Sequence, residues 1–170
     1  MTRARRLILG AALVVAVCVS ATACASSSAR PVEGKKIKHL DASFLPSEVA
    51  GLKVSAEDVS AVGGSKKSFV EEVGLYSLRR DELLQATLQV SRFTEDADVH
   101  KADFRQAVVQ QIGSSVPRSY RMGDDTVYLT SGRRQSVAVW FRDRYLLVLS
   151  TREEFPAPRS LLRSLLEVQP

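Results

Sequence analysis

The side chains that could act as nucleophiles, bases or metal ligands are few in this chain, which has two cysteines, Cys18 and Cys24, and two histidines, His39 and His100. A hydrolase needs a nucleophile, a base and a group that orients the base. His39 follows Lys38 near the end of a polar segment, and His100 falls in the first turn of a predicted helix. We therefore expect both imidazoles to be solvated, and the sequence predicts no catalytic residues.

Carboxylates offer no clearer chemistry. The acidic doublets should point in different directions, because adjacent residues diverge on a strand and on a helix. The run Glu95-Asp96-Ala97-Asp98, with Asp103 beyond it, lacks the glycine and glutamate spacing of a tight calcium site, so helix capping explains it more simply. We predict no metal and no cofactor. The doublets are Glu71-Glu72, Asp124-Asp125 and Glu153-Glu154.

Cys24 follows a pattern typical of an export signal. Residues 1–6 carry three arginines and no acid, and the 13 residues of 7–19 are uncharged and apolar. A helix of that length spans only about 20 Å, which is short for a membrane core of about 30 Å. A basic start, a short apolar run and small residues before a cleavage point are the marks of a secretory signal peptide.

The stretch Ala21-Thr22-Ala23-Cys24 resembles the lipobox of bacterial envelope lipoproteins, although that family prefers leucine where Ala21 stands. The resemblance implies a signal peptide over 1–23 and a mature N-terminus at Cys24 that carries diacylglycerol and palmitate. It also implies a lipid-anchored protein on the outer face of the cytoplasmic membrane. Two alternatives remain open, a secreted protein cleaved after the A-x-A pattern and an uncleaved single-span anchor over 7–29.

Cleavage before Cys24 would change the cysteine count and the net charge of the mature protein. Only one cysteine remains, so an internal disulfide is excluded. Removing three arginines leaves 21 basic against 19 acidic residues, a net charge of about +2, which does not favour a nucleic-acid partner. We predict a flexible tether over 24–39 and a single domain over 40–170, with the membrane and an unknown envelope protein or ligand as partners.

Periodicity within the domain predicts two helices and five to six strands. One helix is capped by Asp96 or Asp98 and ends at Gly113, and a second starts near Pro158 with an apolar face of Leu161, Leu162, Leu165 and Leu166. The first helix has its apolar stripe at Phe104, Ala107, Val108, Gln111 and Ile112. The strands are predicted at 52–54, 73–78, 84–90, 126–130, 136–142 and 145–150.

Adjacent strands with only two helices indicate an α+β fold, an antiparallel sheet with helices packed on it. The alternation of 84–90 predicts one wet face, with Gln85, Thr87, Gln89 and Ser91 outward. Residues 145–149 are apolar on both faces, which predicts a central strand covered on both sides. The order of hairpin, helix, three-stranded meander and C-terminal helix resembles the Mog1/PsbP-like fold of several small actinobacterial envelope lipoproteins. Topology carries that resemblance, and it implies no function.

Two groups of residues are candidates for a binding site. Arginines in or near predicted turns would form a cationic rim for phosphate-bearing ligands if the turns share one end of the sheet. Three aromatic residues, Tyr76, Tyr128 and Trp140, lie on strands and would form a binding face if Tyr128 and Trp140 share a side. The alternative is that the aromatics form the floor beneath the C-terminal helix. The arginines of the rim are Arg79, Arg80, Arg133, Arg134, Arg142 and Arg144, with Arg118 and Arg121 nearby.

We therefore predict a lipid-anchored extracytoplasmic binding or adaptor module of the cell envelope that is not an enzyme. Two alternatives stay open. One is a carrier of a hydrophobic or anionic envelope ligand, which needs a cavity. The other is an enzyme with a dispersed site, which needs titratable groups converging in a cleft.

Overall fold

The computed structural model describes residues 37–58, 69–113, 115–132, 134–152 and 159–168. The predicted signal peptide, Cys24 and Arg133 lie outside the described residues. The helices of the described residues lack the length and hydrophobicity needed to span a lipid bilayer.

The described chain forms nine strands and two helices. The helices are α1 (Ala102–Ile112) and α2 (Arg159–Glu167). The strands are β1 (Lys38–His39), β2 (Glu48–Val49), β3 (Leu52–Glu57), β4 (Val70–Arg80), β5 (Leu83–Phe93), β6 (Arg118–Met122), β7 (Asp125–Gly132), β8 (Gln135–Arg142) and β9 (Tyr145–Arg152).

All nine strands belong to one sheet in the order β2-β3-β4-β5-β9-β8-β7-β6, and β1 pairs with β4. Every pairing is antiparallel except that of β1, which is parallel to β4. The α+β fold is thus confirmed, but the sheet has more strands than the five to six predicted. Strands β1 and β2 have two residues each, too few to show a period, and β6 is a largely exposed edge strand without apolar alternation.

The sheet has a hydrophobic core on each side. On one side, here called the α2 face, Leu78, Leu88 and Trp140 pack with the four leucines of α2 and with the segment 40–49. On the other side, the α1 face, Phe93 and Val148 are among the residues that pack with α1. Burying one such side chain is worth about 1.5–3 kcal/mol, so the helices are held mainly by these contacts.

Strand β9 confirms the prediction of a strand covered on both sides. Leu147 and Leu149 belong to the core of the α2 face, and Leu146 and Val148 to that of the α1 face. The wet face predicted for β5 is wrong, because Gln89 and Ser91 are buried beside Val148 and Leu146 on the α1 face. There the side-chain amide of Gln89 donates a hydrogen bond of 3.1 Å to the Ser91 hydroxyl, which offsets part of the cost of burial.

Helix α1 differs in two details from its prediction. It begins after Lys101, whose side chain makes no capping hydrogen bond, and Asp98 binds Lys101 Nζ at 2.9 Å instead of capping the helix. The buried residues are Val108, Val109 and Ile112, whereas Ala107 and Gln111 are exposed. Val108 and Ile112 can belong to an apolar stripe with Ala107 and Gln111, as predicted, or to one with Val109. Packing on the sheet selects the stripe that contains Val109.

The C-terminal end of α1 and the apolar face of α2 follow the prediction more closely, whereas Pro158, near which α2 is predicted to start, lies outside the described residues. Gly113 ends α1 with a φ of −104°, so it is not there for a left-handed backbone. A Cβ at Gly113 would lie 1.9 Å from Thr130 Oγ1, so glycine is required because α1 passes so close to β7. In α2, Leu161, Leu162, Leu165 and Leu166 are all buried, which confirms the predicted apolar face.

Candidate functional site

The predicted arginine rim does not form, because its members lie at opposite ends of the sheet. The pairings Arg80 with Leu83 and Gln135 with Arg152 place the β4–β5 and β7–β8 turns at one end. The pairing of Arg142 with Tyr145 places the β8–β9 turn at the other end. Successive turns of an antiparallel meander alternate between ends, so Arg79, Arg80 and Arg134 are separated from Arg142 and Arg144.

Three of these arginines also have carboxylate partners. Arg79 pairs with Glu57 at 3.5 Å, Arg144 with Glu95 at 3.3 Å, and Arg142 with Asp125 at 2.7 Å. The first two pairs are largely exposed and contribute little to stability. The arginines of the predicted rim are therefore divided between two ends of the sheet, and the charges of three of them are paired with carboxylates.

Tyr128 and Trp140 lie on opposite sides of the sheet, so the shared binding face predicted for them is wrong. Tyr128 is directly opposite Val139 and packs edge-on against Phe141, with ring centroids 6.4 Å apart, on the α1 face. Trp140 is fully buried among the leucines of α2, which is the floor given as the alternative. The alternation of residues along one strand does not show which face of the sheet a side chain shares with residues of the next strand. That requires the register between the two strands.

Tyr76 is a structural anchor and is buried on the α2 face. Its hydroxyl donates a hydrogen bond of 3.0 Å to the carbonyl of Leu40 and accepts one of 2.8 Å from the backbone N–H of Ala42. Its ring lies over Gly74, where an added Cβ would be 2.8 Å from the ring. Burial raises the pKa of the Tyr76 hydroxyl, the Ala42 hydrogen bond lowers it, and Asp41 raises it further.

Histidines and acidic doublets do not gather into a site in the described ranges. His39 and His100 are both exposed, as predicted. No three histidine, cysteine, aspartate or glutamate side chains of the described residues come close enough to hold a metal ion.

An open cleft of about 1430 Å³ lies around the turn between β6 and β7 and runs along α2. Its size exceeds that of a typical small-molecule pocket, about 300–1,000 Å³. On the α2 face its wall contains Tyr120, Met122, Val127, Leu129, Leu162 and Leu166. On the α1 face it is bounded by Arg105, Arg121, Thr126 and Phe141.

The apolar wall on the α2 face is incompletely covered. Register pairs Tyr120 with Val127 and Arg118 with Leu129, so these side chains point to the same side as the Trp140 core. Val127 is fully buried, but Tyr120 is 47% exposed and Leu129 is 37% exposed. Helix α2 thus covers the middle of the sheet and leaves the β6–β7 edge open.

Arg159 and Arg163 stand on the cleft side of α2. They are one helical turn apart, both are exposed, and neither has an ion-pair partner among the described residues. Leu162 and Leu166, in the same helix, form the apolar wall between them and the sheet. Two guanidinium groups beside apolar side chains suit a ligand that is anionic at one end and apolar at the other.

Arg142 closes the inner end of the cleft and supports α2. It makes two hydrogen bonds to the Asp125 carboxylate, at 3.3 Å and 2.7 Å, and donates to the backbone carbonyls of Leu166 and Val168. Its side chain is only 13% exposed. Arg142 therefore satisfies the terminal carbonyls of α2 and ties that helix to β7.

Two contacts hold the side chain of Arg105 in place. Its Nε donates a hydrogen bond of 2.6 Å to the Val99 carbonyl, and its guanidinium lies 5.3 Å from the centre of the Phe141 ring. Arg121 donates a hydrogen bond of 3.3 Å to the Gly123 carbonyl in the β6–β7 turn. The α1 side of the cleft thus also carries arginines, which are more constrained than Arg159 and Arg163, and Asp124, Asp143 and Glu167 line the same cleft.

Sequence reasoning identified Arg142 as a candidate, with Arg121 nearby, and the leucine face of α2 that contains Leu162 and Leu166. It missed Arg159, Arg163, Tyr120 and Leu129. Arg159 and Arg163 were visible as a pair spaced by four residues on a leucine-rich helix, which places both on one face. Tyr120 and Leu129 carried no such signal, because their proximity depends on the β6–β7 register.

No protein-family model, curated protein or solved structure matches this chain. The lipobox and Mog1/PsbP-like resemblances therefore stay predictions.

Proposed function

We propose that this protein is a lipid-anchored, non-catalytic binding module of the cell envelope, and that the cleft beside β6 and β7 is its binding site. The observation that carries the proposal is the pairing of an uncovered apolar wall with Arg159 and Arg163, two arginines without an ion-pair partner in the described part of the chain. Exposed apolar patches bordered by polar groups are typical of binding sites. The cleft supports the ligand-carrier alternative over an adaptor that uses a flat sheet face.

The anchor in this proposal is Cys24, acylated after cleavage of residues 1–23. Its support is the basic start, the short apolar run and the small residues before the cysteine. Cys24→Ser should abolish acylation and release the protein from membranes, as judged by metabolic labelling with an alkyne fatty acid and by membrane fractionation. Cys18→Ser is the matched control and should leave labelling unchanged. Persistent labelling of the Cys24→Ser protein would refute the lipid anchor.

Binding in the cleft is tested by native mass spectrometry of the full chain purified from membranes in mild detergent. We expect an excess mass that disappears on denaturation. Leu129→Asp should remove it, because a carboxylate would enter the apolar wall at a position 37% exposed. Leu83→Asp is the control, since Leu83 is 67% exposed at the β4–β5 turn, outside the cleft. An adduct that survives Leu129→Asp would place binding elsewhere.

An adaptor that binds another protein is the second candidate, and strand β6 is the observation that favours it. β6 is the last strand of the sheet order, and four of its five residues are exposed. Such an edge can accept a strand from a partner. Replacing Ser119 by proline removes one backbone donor from this edge strand. If the adaptor proposal holds, this change should reduce crosslinking of the anchored protein to envelope proteins, whereas Ser119→Ala should not.

A further inference from the structure

We propose that the cleft binds a phospholipid with an anionic headgroup, drawn from the same membrane that anchors the chain. This inference rests on the proposed function and specifies its ligand. Arg159 and Arg163 bind the phosphate, and the wall formed by Tyr120, Leu129 and Leu162 contacts the beginning of the acyl chains.

Strand β1, at the end of the predicted tether, lies on a row of the sheet that leads to the cleft. Strand β1 pairs Lys38 with Glu72, and the same row continues through Arg92 and Tyr145 to Arg142. The chain therefore enters the sheet on the row that ends at the cleft. Four strand spacings separate β1 from β8 along this row, which is about 19 Å.

The length of the tether is compatible with this geometry. Twelve residues, 25–36, separate Cys24 from the described chain, and their extended length is at most about 40 Å. That reach exceeds the separation between β1 and β8. An acylated Cys24 therefore allows the cleft end of the sheet to approach the lipid headgroups, and β1 enters the sheet nearer to this end than to the end that carries Arg80 and Arg152.

The cleft combines arginines that can bind a phosphate with an apolar wall. Arginine binds phosphate through two parallel hydrogen bonds, and exposed guanidinium groups without carboxylate partners are available for that contact. Asp125 is paired with Arg142, while Asp124, Asp143 and Glu167 also line the cleft, so the anionic headgroup is assigned to Arg159 and Arg163 and not to the cleft as a whole. The apolar wall begins one residue away on the same helix, at Leu162, which matches the change from polar to apolar at the glycerol of a phospholipid.

The test uses the acylated full chain reconstituted into phosphatidylglycerol vesicles that contain a photoreactive phosphatidylglycerol with a diazirine in its acyl chain. After irradiation, crosslinked peptides are identified by mass spectrometry. We expect crosslinks in residues 118–132 and 159–168. The double variant Arg159→Gln/Arg163→Gln should lower the yield there by about tenfold, which corresponds to 1.4 kcal/mol.

The matched control is Arg80→Gln/Arg152→Gln, which removes the same charge from the opposite end of the sheet. Both arginines are exposed, and neither forms an ion pair among the described residues. The control should crosslink like the unchanged protein. An equal loss in both double variants would indicate general attraction to an anionic surface and would overturn the proposed site.

Two further outcomes separate this inference from the proposed function. If an uncharged photoreactive diacylglycerol labels the cleft as strongly as the phospholipid and is unaffected by Arg159→Gln/Arg163→Gln, the cleft binds apolar ligands and the headgroup inference is wrong. If both probes label only residues 24–36, the cleft binds no lipid, and the inference is overturned while the native-mass experiment still decides the proposed function.

Discussion

Tyr76 and Leu40 are joined by a hydrogen bond of 3.0 Å from the phenol to the backbone carbonyl, although 36 residues separate them in the chain. The same phenol oxygen accepts a hydrogen bond from Ala42. A side chain of β4 thus holds the segment that follows β1 against the α2 face. Any force transmitted from the tether to the sheet would act on this contact and on the pairing of β1 with β4.

Tyr76→Phe should destabilise the protein by about 1–3 kcal/mol, because it leaves a buried carbonyl and a buried N–H without their partner. The measurement is the free energy of unfolding of the full chain in urea. Tyr120→Phe is the matched control, since Tyr120 is 47% exposed and its hydroxyl has no hydrogen-bond partner in the described part of the chain. Equal stability of the two variants would contradict the anchoring role of Tyr76.

Alkaline pH should destabilise the protein through the same residue. The folded-state pKa of Tyr76 lies above the ordinary value of 10.0, chiefly because burial disfavours the phenolate. Between 10.0 and the folded pKa, the folded state binds more protons than the unfolded state, so stability is present below pH 10 and falls as pH rises through that window. Unfolding measured from pH 9 to 11.5 should show a steeper loss for the unchanged protein than for Tyr76→Phe. Parallel curves would show that Tyr76 does not cause the loss.

Arg142→Ala should cost about 2–4 kcal/mol, because it leaves Asp125 and the terminal carbonyls of α2 without their donor. Arg142→Lys should recover little, since an ammonium group cannot reproduce the planar geometry that serves Asp125 and α2 together. Arg144→Ala is the control and should cost less than about 1 kcal/mol, because its partner Glu95 is 88% exposed. Urea unfolding of the three variants tests this. Similar losses for Arg142→Ala and Arg144→Ala would refute the bridging role.

Trp140→Ala should destabilise the protein by about 3–5 kcal/mol, because it leaves a cavity between the sheet and α2. Trp140→Phe should cost less, since the indole N–H has no hydrogen-bond partner among the described residues and its removal exposes no orphaned acceptor. Thermal unfolding of both variants checks the order. If the Trp140→Ala protein were as stable as the unchanged protein but had lost its bound ligand, Trp140 would be a binding residue and not a core residue.

Much of the fold could be predicted because its signals are local. Four leucines spaced along α2 form a stripe that can be buried only as a helix face, and the apolar run of β9 indicates a strand covered on both sides. The antiparallel α+β class followed from strands close together in sequence. Some predictions failed because patterns overlap, such as Val109 against Ala107 in α1, or because an element is too short to show a period, such as β1 and β2. The wet face predicted for β5 failed because a second core covers that side of the sheet, which the alternation of the strand itself does not show.

The candidate site depended on the tertiary structure. Sequence determined which residues are arginines and aromatics and on which strands they lie, but not the register that places Tyr128 beside Val139 or the end of the sheet to which each turn belongs. Register and strand order arise from contacts between distant segments, and the same local pattern fits several arrangements. Only the fold separated Arg79 from Arg142, buried Trp140 beneath α2, and brought Arg159 and Arg163 beside the uncovered wall of β6 and β7.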